Sequence, residues 1–142
     1  MAATILDIAD AVVTQLNATA FSQPVTAERH YQPQFELSEM TALHVSVVPR
    51  SVASKGLDRN RDSFDYRVDV AVQQKLDPTP GNLDALMALV EEIADHFRSE
   101  PLSGFPQARC TEVENVPVYA VEHLEEFRQF TSVVTLTFRV WR

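Results

Sequence analysis

From Phe64 to Gln73 the chain alternates without a break. Phe64, Tyr66, Val68, Val70 and Val72 fall on one side, and Asp65, Arg67, Asp69, Ala71 and Gln73 on the other. Successive side chains of a strand leave on opposite faces, so this segment describes a strand with one buried and one solvated face. At about ten residues it outruns a compact sheet. A protruding hairpin arm is therefore predicted, formed with the polar, Gly56-containing stretch from Arg50 to Asp62 that precedes it.

The rest of the chain supplies a second layer. Ile5, Ile8, Ala9, Val12, Val13 and Leu16 recur at helical spacing, while Asp7, Asp10, Thr14 and Gln15 take the opposite face, which predicts a helix over 4–16. A second helix carries Leu83, Leu86, Met87, Val90, Ile93 and Phe97. Asn82 is a credible N-cap for it and Pro101 its stop. Period-two patterns at Val25–Tyr31 and Leu43–Val48 predict two strands, the second closed by Pro49. A short strand is predicted at Arg109–Glu114 and a long one at Ser132–Arg142, which is rich in β-branched and aromatic residues; the signals between Val118 and Phe130 are mixed. The order α-β-β-β-α-β-β predicts one α+β domain over residues 1–142: a mainly antiparallel sheet with two helices packed on one face and a protruding β-hairpin arm.

A chain of 142 residues that is 45% hydrophobic and 23% charged has the size and make-up of one soluble domain. Twelve Lys and Arg against twenty Asp and Glu leave a net charge of -8, which disfavours a general nucleic-acid-binding surface. Cys110 is the one cysteine, so neither an internal disulfide nor a cysteine zinc site can be built. No apolar run approaches the ~18 residues of a membrane span, and MAATILDIAD has early acids where a signal peptide places basic residues. These features predict a cytoplasmic product without a membrane anchor.

Chemistry-bearing patterns are sparse. His30, His44, His96 and His123 never fall at the spacing by which two imidazoles share a metal. Asp65 and Asp69 share a strand face with Arg67 between them, which reads as a solvated ion-pair row rather than an acid–base pair. There is no G-x-S-x-G elbow, and Cys110 lacks a nearby histidine. With glycines only at 56, 81 and 104, no phosphate-binding glycine loop can be written. No cofactor, metal or catalytic residue is predicted.

Charge is distributed unevenly instead. Arg50 to Arg61 carries Arg50, Lys55, Arg59 and Arg61 against Asp58, a net +3 on an acidic protein, whereas Asp77–Glu100 and Glu112–Glu126 each sum to -5. Opposed patches of this kind either meet in a head-to-tail contact between copies or are merely solvated, and charge alone leaves both readings open.

The opening helix ILDIADAVVTQLN, the strand and turn VTAERHYQPQFELSEMTALHVSVVPR, the arm and strand DSFDYRVDVAVQQKL, the helix LDALMALVEEIADHFR and the closing FRQFTSVVTLTFRVWR cover nearly the whole chain. In rhythm, length and order they resemble the tail terminator, or tail completion, proteins of long-tailed bacteriophages, the lambda-like head-to-tail joining family. The resemblance implies a structural virion protein at the tail–neck junction, made in the host cytoplasm. It would form a ring, usually a hexamer, that caps the tail tube, ends its polymerisation and offers a joining surface to the head-completion or stopper protein of the neck. It implies no enzyme activity, and DNA as a passenger through an acidic lumen rather than a bound ligand. By position the reaching arm would be Ser51 to Phe64, with Arg50, Lys55, Arg59 and Arg61 as its contact residues. Another head–tail connector or minor tail component is the alternative, and a small cellular α+β enzyme or ligand-binding domain the rival from another class.

Overall fold

The structure, a computed structural model, describes residues 3–31, 42–75, 79–116, 118–119, 121–122 and 129–142. Helix α1 (Thr4–Ala18) leads into β1 (Ala27–Arg29), β2 (His44–Gly56) and β3 (Asp62–Lys75); α2 (Pro80–Ser99), β4 (Arg109–Asn115) and β5 (Gln129–Trp141) follow. Among the described residues the strands form one sheet in the order β1-β2-β3-β5-β4, and only the β1–β2 pair is parallel. This is the expected α+β architecture. The apolar side of the β3 alternation, Tyr66, Val68, Val70 and Val72, meets Val134, Leu136 and Phe138 of β5, Val45 and Val47 of β2, and the stripes of both helices in one core.

Local chemistry explains the element boundaries. The side chain of Thr79, not Asn82, caps α2: its hydroxyl accepts from the Asn82 N–H at 3.4 Å, and Pro80 fills the first helical turn. A proline there has no donor to lose and a backbone angle already set for the helix. Asn17, at the end of α1, imitates a strand partner. Its Oδ1 accepts from the Ala27 N–H at 2.7 Å and its Nδ2 donates to the Ala27 carbonyl at 3.2 Å, which anchors the short β1.

Two expectations are corrected here. Pro49 does not close β2, which runs on to Gly56. Because β1 pairs only as far as Val47, Pro49 lies on an edge left open among the described residues, and the register slips between Pro49 and Ser51; a bulge on an edge accommodates the missing N–H. Ala71 and Gln73, placed on a solvated face by the alternation, are buried with Ser46. β3 is the middle strand, so Ala71 is flanked by Ser46 and Val133 and Gln73 by His44 and Thr131.

Gln15, assigned to the solvent face of α1 by residue type, is also buried. Its Nε2 donates to the Pro101 carbonyl at 3.1 Å and lies 2.8 Å from Nε2 of His96, which accepts because an amide nitrogen can only donate. Its Oε1 accepts from the N–H and hydroxyl of Ser103 at 2.9 and 3.2 Å. One amide thus ties α1 to α2 and to the loop beyond it. That loop closes on α1 where a side chain on Gly104 would stand 3.0 Å from the Ala11 Cβ, so glycine allows the approach.

Two expected outcomes follow from this packing. Phe97, which is 1% exposed, should cost about 3–5 kcal/mol of unfolding free energy when replaced by alanine, read from the denaturant midpoint. Gln15→Ala leaves the Ser103 N–H and the Pro101 carbonyl without their partner, and should cost about 1–3 kcal/mol in the same measurement although little apolar area is lost.

Candidate interaction site

The arm is built from residues that a composition reading takes for loop. Ser51 to Lys55 pair with Arg67 to Ser63, Gly56 faces Asp62, and the connecting turn is 57–61. Within the turn the N–H groups of Leu57 and Asp58 both donate to the Arg61 carbonyl, at 3.3 and 3.2 Å. The Asp58 Oδ1 accepts from the Asn60 N–H at 2.8 Å, the local bond that makes aspartate a turn former.

β5 backs the hairpin along its length. Trp141 lies opposite Ser63, and beyond it Asp62 and Arg142 exchange backbone hydrogen bonds of 2.7 and 2.9 Å. The Arg142 guanidinium sits 4.3 Å over the Phe64 ring and donates to the Tyr66 hydroxyl at 3.1 Å, while Phe64 stacks on Tyr66. On the other face Arg139 grips Asp65 with two bonds, Nε to Oδ1 at 2.8 Å and Nη2 to Oδ2 at 3.2 Å. The arm is a locked three-stranded tongue. Only its turn extends past β5.

The four cations singled out by sequence do not act together. Arg50 lies at the bulge, 3.5 Å from the Asp69 carboxylate, and donates to the Thr135 hydroxyl at 3.2 Å, so it belongs to the sheet face. Lys55 on β2 and Arg59 and Arg61 in the turn are exposed, and no ion pair is formed by them among the described residues. The carboxylate row is also corrected: Asp65 and Asp69 are neutralised by Arg139 and Arg50 from the flanking strands, not chiefly by Arg67 between them. Cross-strand neighbours lie closer than residues two apart on one strand. What sequence reasoning missed on the arm is apolar. Val52, Leu57 and Trp141 are between 42% and 50% exposed beside the cations, and only their positions near the turn could have flagged them.

Burial pushes the Cys110 thiol above its ordinary value, the opposite of an activated thiolate. Among the described residues no group of three His, Cys, Asp or Glu is placed to hold a metal, and no helix is long and apolar enough to cross a membrane. His123, Asp77, Glu125 and Glu126 lie outside the described residues. Of the acidic stretch on α2, Glu92 is taken up by the N–H and hydroxyl of Ser22 and Asp95 by Arg98, which leaves Asp84, Glu91 and Glu100 exposed.

No known protein family matches the sequence, and no curated protein sequence does either.

The hydrogen bond from Arg139 holds the Asp65 carboxyl below the usual aspartate range. A carboxyl with a lowered folded value stabilises the fold above its unfolded value of about 4 and loses that contribution as pH falls through the folded value. Asp65→Asn should therefore be less stable than wild type at neutral pH, with the gap in melting temperature closing as the acid range is crossed. A gap that stays constant with pH would assign the loss to packing instead.

Proposed function

We propose that the protein is a structural, self-assembling component of a phage tail, a ring that caps the tail tube, ends its polymerisation and presents a surface to the neck. The observation that carries this reading is the arm. An acidic domain projects one basic, internally locked tongue whose Lys55, Arg59 and Arg61 form no ion pair among the described residues, and a second copy offers an acidic surface in abundance. Two different patches that complement each other give a heterologous contact, which closes into a ring when the rotation per copy divides a full turn. The order of elements and the length of the arm agree with the resemblance to tail terminators. A net charge of -8 suits a channel wall to which passing DNA does not adhere.

Electron microscopy of the concentrated protein, alone and incubated with tails, tests the reading. Closed annuli in either sample are expected, whereas indefinite fibres or twofold dimers in both overturn it. Replacing Lys55, Arg59 and Arg61 by serine should leave the melting curve of the monomer nearly unchanged, within about 0.5 kcal/mol per site as for other surface changes. The same variant should lose annuli and head joining in a complementation assay.

A further inference from the structure

Apart from Tyr31, the exposed large apolar side chains among the described residues fall into two groups. One is Val52, Leu57 and Trp141 on the arm. The other is Val116, Val118, Tyr119 and Val121 just beyond β4, with Val116 65% exposed. Isolated surface apolar residues are ordinary, but a cluster marks a contact surface.

The second cluster borders a groove of about 460 Å³ between α2 and the end of β4, lined by Met87, Ala88 and Val118 together with Asp84 and Glu91. Arg98 also lines it, with its charge engaged by Asp95. Glu114 and Glu122, both exposed, flank the cluster in sequence. An apolar surface edged by acids therefore faces solvent, and its complement in both respects is the arm, an apolar tip edged by Lys55, Arg59 and Arg61.

The two surfaces cannot meet within one chain. Asn115 at the end of β4 pairs with Val134, whereas the turn that carries Leu57, Arg59 and Arg61 lies beyond Trp141, seven residues further along β5; at ~3.4 Å per residue the separation is roughly 24 Å or more. Strand addition between copies is also discouraged. The β2 edge carries Pro49 and a bulge, and the β4 edge has Glu112, Glu114 and a bulge between Cys110 and Glu112; these are devices that blunt sheet edges. A contact between copies is left to side chains.

We infer that the arm of one copy docks on the α2–β4 groove of the next. Leu57 and Trp141 supply the apolar anchors, and Lys55, Arg59 and Arg61 face Asp84 and Glu91. This deepens the ring-forming reading and rests on it, by naming the receiving surface.

The test is sedimentation of the full chain over a concentration series at low and high salt, for four proteins. These are wild type, an arm reversal (Lys55→Glu, Arg59→Glu, Arg61→Glu), a groove reversal (Asp84→Lys, Glu91→Lys), and both reversals in one chain. Each reversal alone should weaken the association constant by about tenfold or more, as close charge pairs across an interface do. The combined chain should recover most of the loss, and wild-type association should weaken as salt rises. Melting curves check that each variant folds, and the wild-type salt series stands independently if one does not. If wild type associates but is indifferent to salt or to both reversals, the groove is not the receiving surface while the ring reading stands. If wild type stays monomeric throughout, this contact is overturned, and annuli on incubated tails decide the ring separately.

Discussion

The pairing of β3 with β5 is the constraint on which the rest of the molecule hangs. It runs without a slip from Ser63 opposite Trp141 to Lys75 opposite Gln129. On its inner face Tyr66, Val68 and Val70 lie against Phe138, Leu136 and Val134, all essentially excluded from water. Facing pairs of this kind are the unit of sheet stability. On its outer face the ladder is polar: Arg139 holds Asp65, and Thr135 donates to Asp69 at 2.7 Å. β2 is added on one side and β4 on the other. The core end of the ladder seats the helices, and the same two strands, continuing past them, become the stem of the arm.

That continuity bears on the docking proposed for the arm. A free hairpin would surrender its motion on docking, whereas a tongue already fixed by β5, by the Arg142–Phe64 contact and by the Asp65–Arg139 fork has little left to lose. Preorganisation lowers the entropic cost of association. Arg50 is counted in the same basic run as Lys55 but is consumed in fixing β2 to Asp69 and Thr135, so it serves the sheet rather than the exposed tip.

Much of this was legible in the sequence because the signals were periodic. Both helices announce themselves through Ile8, Val12 and Leu16 and through Leu86, Val90, Ile93 and Phe97, all of which are buried. The inner face of β3 is read correctly from its alternation. What escaped was non-local. Gln15 looks like a solvent residue until Pro101 and Ser103, far away in sequence, supply its hydrogen bonds. Ser51 to Lys55 have the composition of a loop and become strand because β3 offers them a partner. Pro49 stops a strand only where its N–H is needed. The basic arm was legible as charge, but the apolar residues of its tip and the cluster beyond β4 carry no periodic pattern to betray them.

The chain order of this sheet also shapes its birth on the ribosome. β4 pairs with β5, and β3 carries β5 on one of its sides, yet β5 is synthesised after the other four described strands. Until it emerges, the nascent chain holds a β1–β2–β3 fragment with a long unsatisfied edge and a β4 without its partner. Such edges invite pairing with other chains. Of the described strands, the latest made is therefore the one that closes the sheet, and the interval before it pairs is when the chain is most exposed to misassembly.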